Sequence, residues 1–242
     1  MVSKNQIKLI TSLQQKKYRN QHQLFFAETK KVIDEFLDAQ FELVQIYTTQ
    51  EGLFSQVNQS KICAISETEL KKISALVTPN ECLAVFKIPV HASFEAKGLI
   101  VALDDIRDPG NLGTIIRLCD WFGVETLLCS KETVDVYNPK VIQSTMGSIS
   151  RVKVIYEDLI PFLKETKLPV YGTFMDGATI YAEKLPEDAV VVMGNEANGI
   201  SPEVELAVTK RIAIPRFGNI QKTESLNVAT ATAITLSEFR RN

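Results

Sequence analysis

The sequence predicts an α/β protein whose larger, C-terminal part is built on a mostly parallel sheet. From Leu99 onward, short apolar segments of strand length alternate with segments of helical periodicity. The continuous apolar segments Leu99–Leu103 and Ala189–Met193 are typical of strands that are buried on both faces. Three of the strands lead into polar loops that contain glycine and precede a helix. This alternation predicts a sheet covered by helices on both faces.

The first 90 residues predict a smaller α/β domain, to which we assign residues 1–90. Helical spacing between Ser3 and Gln40 indicates two helices, separated by a basic turn at Lys16–Asn20 and a short buried strand at Phe25 and Phe26. Three further strands and one helix are then expected, at Leu43–Tyr47, Lys61–Ile65 and Cys82–Phe86, and at Glu67–Leu76.

A linker is predicted at Ile88–Lys97, where a proline and mixed polarity interrupt the periodicity. The second domain is assigned to residues 98–242. Its strands are expected at Leu99–Leu103, Thr126–Cys129, Val152–Tyr156, Pro169–Phe174, Ala189–Met193 and Arg211–Ile214. Its helices are expected at Leu112–Phe122, Pro139–Gly147, Ile160–Lys164, Pro202–Ala207 and Ser225–Arg240.

Composition argues against membrane and metal proteins. Of the 242 residues 45% are hydrophobic, but no apolar run approaches the ~20 residues that a membrane-spanning helix needs. The first residues lack the apolar stretch of a secretory signal, so we expect a cytoplasmic protein. The four cysteines show no CxxC spacing and only two histidines accompany them. No metal site is therefore expected, and we interpret the cysteines as buried packing residues.

The overall charge does not favour a nucleic-acid partner, but its distribution does. The formal net charge is −2, whereas residues 1–31 contain seven basic residues and one acidic residue. Lys16, Lys17 and Arg19 are therefore candidates for contacts with RNA phosphates. The alternative is that these side chains are solvated charges on a helix surface.

Three loops carry the residues most suited to chemistry. The first places Asn111 and, six residues later, Arg117 at the start of a helix; the second places Glu196 between Gly194 and Gly199. The third leads through Ile214 to Asn227, which precedes a helix of small residues. Ligands in α/β folds bind at such strand-to-helix loops. Taken singly, each loop is also explained by ordinary turn and helix-capping chemistry.

Together, in this order, the loops resemble the three motifs of the SpoU/TrmH family of the SPOUT superfamily. The matching elements are N-x-G-x-x-x-R from Asn111, G-x-E-x-x-G-[IL] from Gly194, and I-P-x-x-G from Ile214 followed by S-L-N-V from Ser225. The N-terminal part resembles the family's L30e-like substrate-binding domain through its K-Y-R turn. Two departures are Ala229 in place of the usual serine and a longer segment between Gly218 and Glu224.

The resemblance implies a parallel-sheet SPOUT domain with a deep trefoil knot and an RNA methyltransferase that uses S-adenosylmethionine. Residues Thr173, Gly194, Ile214 and Leu226 would bind the cofactor, largely through the backbone. The family pattern also implies a homodimer and methylation of a ribose 2′-hydroxyl in ribosomal or transfer RNA.

The implied catalytic residues are Arg117, Asn111, Glu196 and Asn227. In the family the matching arginine is proposed to assist deprotonation. A guanidinium is normally a fixed cation, so we expect Arg117 to bind phosphate and to stabilise a developing alkoxide.

Three alternatives accompany this interpretation. An RNA-binding protein could retain the fold without methyl transfer, although Asn111, Arg117, Glu196 and Asn227 are all present. A related SPOUT enzyme could methylate a base. A nucleotide-dependent oxidoreductase would share the strand-loop-helix pattern, but it predicts a GxGxxG fingerprint that this sequence lacks.

Overall fold

The computed structural model describes residues 1–90, 94–219 and 225–241. The chain divides into two compact units. The first consists of Met1–His91 together with Asp135–Ser150, and the second of Ala92–Val134 together with Arg151–Asn242. A segment from the middle of the sequence therefore belongs to the N-terminal unit.

The first unit contains a four-stranded mixed sheet in the order β1-β4-β2-β3, in which only β2 and β3 pair in parallel. Its strands are β1 (Leu24–Glu28), β2 (Leu43–Thr48), β3 (Ile62–Ala64) and β4 (Cys82–Lys87). Its helices are α1 (Lys4–Ser12), α2 (Lys16–His22), α3 (Lys30–Asp38) and α4 (Glu67–Ile73). A fifth helix, α6 (Pro139–Thr145), comes from Asp135–Ser150, which we call the inserted segment.

Local sequence signals explain where several of these helices begin. Helices α1 and α4 each start with a capping box, formed by Ser3 with Gln6 and by Ser66 with Glu69. The core includes an aromatic cluster in which Phe25, Phe36 and Phe86 pack at centroid distances of 5.3–5.7 Å. Tyr137 of the inserted segment lies 4.8 Å from Phe25 in the same cluster.

The predicted basic turn at Lys16–Asn20 is wrong, because these residues belong to helix α2. The segment is polar throughout and has no apolar stripe at helical spacing, so periodicity could not identify it. Its inward residue is instead Arg19, which is 2% exposed. Gln23, in the left-handed conformation with φ 54°, ends the helix.

The second unit contains a six-stranded sheet, entirely parallel, in the order β10-β8-β9-β5-β6-β7. Its strands are β5 (Leu99–Leu103), β6 (Thr126–Cys129), β7 (Lys153–Tyr156), β8 (Val170–Thr179), β9 (Ala189–Met193) and β10 (Lys210–Ala213). Its helices are α5 (Pro109–Trp121), α7 (Leu159–Glu165), α8 (Pro202–Glu205) and α9 (Val228–Phe239).

The two central strands, β5 and β9, are buried along their whole length, as their continuous apolar sequences predict. One face of these strands packs against α7 and α8 through Leu159, Leu163 and Val204. Helices α5 and α9 pack against each other. The predicted α/β fold with a parallel sheet is confirmed, while the trefoil knot stays a prediction.

Several element boundaries differ from those predicted, and two of the differences have a clear structural basis. Helix α5 begins at Pro109, three residues early, because the Asp108 side chain accepts a hydrogen bond from the Asn111 amide and caps the helix. Strand β8 continues to Thr179 beyond a register shift in its pairing with β10. Within the predicted linker, Phe94 packs on Phe162 at 5.6 Å, and His91, Ala92 and Ser93 lie outside the described residues.

Candidate active site

Two of the predicted functional loops leave the sheet side by side. In the parallel pairing of β5 and β9, Leu103 lies opposite Met193, so the loops that begin at Asp104 and Gly194 start at the same edge. The Asp104 amide donates to the Met193 carbonyl at 3.0 Å, and the Ser201 amide donates to the Asp104 carboxylate at 2.7 Å. These two hydrogen bonds connect the first loop to both ends of the loop that begins at Gly194.

Three of the four predicted catalytic residues form a continuous chain of hydrogen bonds. The Asn227 Nδ2 donates to Asn111 Oδ1 at 2.9 Å, and the Asn111 Nδ2 donates to Glu196 Oε1 at 2.8 Å. Asn111 lies in the first turn of α5, Glu196 in the loop after β9, and Asn227 directly before α9. The structure therefore brings together residues that stand far apart in the sequence, and the chain ends on an exposed carboxylate.

Asn227 also begins helix α9. Its Oδ1 accepts hydrogen bonds from the amides of Ala229 at 3.0 Å and Thr230 at 3.2 Å. The carboxamide thus caps the helix with its oxygen while its nitrogen holds Asn111. The replacement of the family's usual serine by Ala229 does not leave this helix start uncapped.

Arg117 lies apart from this hydrogen-bonded chain. It is exposed on α5, six residues beyond Asn111, which corresponds to a rise of ~9 Å along the helix. Within the part of the chain that the structure describes, its guanidinium has no hydrogen-bond or ion-pair partner. Its donors are therefore available to an anionic group of a substrate.

Sequence reasoning missed Asn195, which shapes the second loop. Its Nδ2 donates to the Asp105 carbonyl at 2.7 Å, and its Oδ1 accepts from the amides of Ala197 and Asn198 at 2.9 and 3.1 Å. Asp105 itself has a left-handed backbone, with φ 59°. An asparagine directly before the glutamate of a glycine-bounded loop was the available signal, because short amides commonly organise such turns.

Gly194 occupies a position where no side chain fits. A Cβ atom there would lie 2.2 Å from the carbonyl carbon of Gly199 and from the amide nitrogen of Ile200. Nearby, Thr173 Oγ1 donates to the Val192 carbonyl at 3.1 Å. Two of the predicted cofactor residues therefore lie at the carboxyl end of β9.

The other two predicted cofactor residues bring apolar surface to the loops. Ile214 is half-buried directly after β10, and Leu226, next to Asn227, is 48% exposed. Tyr181 and Phe217, both exposed, stack with ring centroids 6.5 Å apart. Exposed apolar side chains beside a tightly folded backbone are what an adenosine-containing cofactor requires, so the residues present fit S-adenosylmethionine.

Comparison with known proteins identifies the family to which these loops belong. The model described as the SpoU rRNA Methylase family matches residues 98–237, and that of the MRM3-like substrate binding domain matches residues 4–84. The chain belongs to the SpoU rRNA methylase family. The predicted family membership and the prediction of a methyltransferase are confirmed, and so is an N-terminal substrate-binding domain.

Individual SpoU methylases resemble the chain over its full length. The 23S rRNA (guanosine(2553)-2′-O)-methyltransferase RlmP of Bacillus subtilis is 28% identical over 98% of this chain and 97% of RlmP. The structure of a TrmH-family protein from Porphyromonas gingivalis is 38% identical, with a TM-score of 0.91, and covers 100% of this chain and 99% of that one. An AdoMet-bound rRNA methyltransferase from Sinorhizobium meliloti is 27% identical, with a TM-score of 0.88 and coverages of 100% and 97%.

The three residues predicted to contact phosphate in the substrate-binding domain of this SpoU methylase differ in their exposure to solvent. Lys16 and Lys17 are exposed. Arg19 is buried; its Nε donates to Asp135 at 2.9 Å, and its Nη1 donates to the carbonyls of Leu13 and Gln14 at 2.8 and 2.9 Å. The assignment of Arg19 to phosphate is corrected accordingly, because its donors are already used inside the first unit.

The cysteines of this SpoU methylase are packing residues. Cys82, Cys119 and Cys129 are buried, and burial raises the pKa of the Cys82 thiol to about 12. Such a thiol is a poor nucleophile at neutral pH. In the described ranges, no cluster of three or more potential ligands could hold a metal ion, and no helix is long and apolar enough to cross a membrane.

Proposed function

We propose that the chain transfers a methyl group from S-adenosylmethionine to a ribose 2′-hydroxyl of RNA. The observation that carries the proposal is the hydrogen-bonded chain of Asn227, Asn111 and Glu196. It joins the segments that follow β5, β9 and β10 at the carboxyl edge of the sheet, where α/β enzymes bind their ligands. The relatives support the same reaction, since RlmP is named as a 2′-O-methyltransferase.

The predicted cofactor is confirmed by family membership and by the AdoMet-bound relative from Sinorhizobium meliloti. When bound, the cofactor supplies an electrophilic methyl group on a sulfonium. We assign its binding to Thr173, Gly194, Ile214 and Leu226. The backbone of the second loop would meet the polar edge of adenine, and the apolar side chains would cover its face.

The protein's remaining tasks are to position the ribose and to favour its deprotonated form. Arg117 is exposed and has no partner among the described residues, so it is free to bind an RNA phosphate and to stabilise the charge that develops on the ribose oxygen. The side chains of Asn111, Glu196 and Asn227, held together by their hydrogen bonds, form a polar surface for the sugar, which we call the polar wall. The exposed Glu196 carboxylate is the acceptor that this wall offers to a ribose hydroxyl.

Ribosomal RNA is the substrate that we propose, with transfer RNA as the alternative. RlmP, which matches almost the whole chain, is named for a nucleotide of 23S rRNA. We assign RNA holding to residues 1–90, with Lys16 and Lys17 as phosphate contacts, and methyl transfer to residues 98–242. We further propose a cytoplasmic homodimer; the RNA substrate supports the location, and the family pattern supports the dimer.

The test is methyl transfer to RNA by the purified full-length protein. Labelled S-adenosylmethionine and unmodified ribosomal RNA should give labelled RNA, and the Arg117→Ala variant should give much less. S-adenosylmethionine, but not NAD, should raise the melting temperature. Cofactor binding without transfer to any RNA would contradict the proposed activity and favour an RNA-binding protein of the same fold.

A further inference from the structure

The first unit contains a cavity of about 610 Å³ that the proposed methyl-transfer site does not use. Its volume is in the range of known small-molecule sites. All of its lining residues belong to this unit. They come from the turn after α1, from β1, from the loop after α4 and from the start of α6. The lining residues that matter here are Gln14, Glu28, Val77, Asn80, Lys140 and Gln143.

The polar part of the lining is dominated by carboxamides. Gln14, Asn80 and Gln143 are exposed, and among the described residues their side-chain amides have no hydrogen-bond partner. A fourth carboxamide, Asn138, accepts from the Lys140 amide at 2.9 Å through its Oδ1. Each carboxamide presents both a donor and an acceptor. Donors and acceptors of this kind form the hydrogen bonds by which proteins distinguish the edges of nucleobases.

The remaining lining suits the other parts of a nucleotide. Leu76, Val77 and Pro139 supply apolar surface beside the buried Phe26 and Ile142, and Val77 is fully exposed. Lys140 is the cation of the lining, and its ammonium group has no partner within the described ranges.

The acidic member of the lining is already engaged. The Glu28 carboxylate accepts from the Ala75 amide at 2.9 Å and from the Ser74 hydroxyl. Burial raises the pKa of Glu28, and each of its two carboxylate oxygens already accepts a hydrogen bond from within the unit.

A second observation connects the cavity with RNA. Gln14, which lines the cavity, precedes Lys16 by two residues and Lys17 by three. Both lysines are exposed at the start of α2. A chain whose phosphates contact these lysines would pass the mouth of the cavity. Sequence-specific RNA recognition generally uses unstacked bases in such pockets.

We propose that this cavity binds one unstacked nucleotide of the substrate RNA, reads its base with Gln14, Asn80 and Gln143, and holds its phosphate with Lys140. The inference rests on the proposed function, because it takes the bound macromolecule to be RNA. The pocket selects the RNA at a place separate from the residues that carry out methyl transfer.

The experiment measures binding of full-length protein to single-stranded RNA decamers, A10, C10, U10 and alternating (GA)5. The variant Gln14→Ala/Asn80→Ala/Gln143→Ala removes three exposed carboxamides. Its matched control, Gln50→Ala/Gln56→Ala/Gln59→Ala, removes three exposed carboxamides of the same unit that do not line the cavity. We expect the pocket variant to weaken binding of the preferred decamer about tenfold and to abolish the preference among decamers; the control should bind as the native protein does.

Two further measurements sharpen the result. Lys140→Gln should lower the slope of log affinity against log salt by about 0.7, as expected for one lost phosphate contact on a single strand. Free nucleoside monophosphates should compete only weakly; competition as strong as that of the decamers would overturn RNA as the source of the nucleotide.

The outcomes separate this inference from the proposed function. If the native protein methylates RNA but the pocket variant binds the decamers as the control does, the pocket assignment is overturned and the function stands. The same holds if a peptide library, and no RNA, loses affinity in the pocket variant. If binding depends on the pocket but the native protein transfers no methyl group to RNA, the proposed function fails alone.

Discussion

Asn227 has one structural task that the contacts show, the capping of α9, and one chemical task that we propose, the positioning of Asn111. Its oxygen caps α9, and its nitrogen holds Asn111, which in turn holds Glu196. The polar wall of the candidate site is therefore fixed to the start of a helix. A substitution that removes one task and keeps the other can measure them separately.

Replacing Asn227 by Ser should retain the helix cap and remove the hydrogen bond to Asn111. We expect near-native stability but reduced methyl transfer for Asn227→Ser, whereas Asn227→Ala should also lose ~1 kcal/mol of unfolding free energy. Urea unfolding and initial transfer rates measure the two effects. Native activity in Asn227→Ser would show that the link to Asn111 is unimportant.

Arg117 should be needed for the reaction but not for folding, because it is exposed and has no described partner. Arg117→Ala should lose at least about 2 kcal/mol of transition-state stabilisation, roughly a 30-fold fall in rate. Its melting temperature should stay unchanged. Arg107→Ala is the control, since Arg107 is also exposed near the site but is paired with Asp105 at 2.8 Å. Equal losses in the two variants would contradict a specific role for Arg117.

Arg19 should be needed for folding. Its removal leaves the Asp135 carboxylate, 13% exposed, without its cation, together with two carbonyls that lose their donor. Breaking such a buried pair typically costs ~3–5 kcal/mol. Arg19→Ala should therefore unfold at much lower denaturant concentration, while Lys17→Ala, at an exposed neighbour, should not. Similar stability of the two variants would restore Arg19 as a candidate surface contact.

The sequence indicated which residues lie together at the candidate site, but it did not indicate the contacts of the residues around them. Asn111, Glu196 and Asn227 could be found because their loops share a position after a strand and match a family pattern. The burial of Arg19 could not be found, because its partner Asp135 stands 116 residues away. The role of Asn195 likewise depends on a contact with Asp105 that no local pattern encodes.

At the scale of elements, the second loop is built around the absence of a side chain at Gly194. In Gly194→Ala the new Cβ would meet the backbone of Gly199 and Ile200, which cannot move without disturbing the loop. We expect lower stability and weaker binding of S-adenosylmethionine, measured by calorimetry. Gly218→Ala is the control, because a Cβ there meets none of the described residues within 4 Å. Native cofactor affinity in Gly194→Ala would contradict the assignment of this loop to the cofactor.

Strands and helices with a strong apolar pattern were predictable, whereas those held by polar contacts were not. The uniformly apolar β5 and β9 were located to the residue. Helix α2 was missed because its inward side chain is an arginine. The far end of β8 was missed because Asp176 and Gly177 interrupt its apolar pattern after Met175. Tertiary contacts decide both cases, and they act beyond the reach of local periodicity.

At the scale of the whole molecule, the two units are not consecutive in sequence. Asp135–Ser150 lies inside the stretch matched by the methylase family model, yet it packs with the N-terminal unit. The change in apolar periodicity near Gly98 was visible in the sequence. The packing of Asp135–Ser150 with the N-terminal unit was not, because this segment resembles any other helix of an alternating α/β chain.

A fragment of residues 1–90 should therefore be much less stable than the same residues in the full chain. It would lack Asp135, the partner of Arg19, and Tyr137, which packs on Phe25. Hydrogen exchange should show weak protection of β1 and β4 in the fragment and strong protection in the full-length protein. A fragment that unfolds cooperatively with native-like stability would show that the inserted segment contributes little.

Alkaline hydrolysis of the labelled RNA decides whether the methyl group is on a ribose oxygen. A 2′-O-methyl group blocks attack of that oxygen on the neighbouring phosphodiester. We therefore expect the label in alkali-resistant dinucleotides, and we expect it to be lost with Arg117→Ala. Label recovered instead in ordinary mononucleotides would mean that a base is methylated, and would contradict the assignment of this site to the ribose.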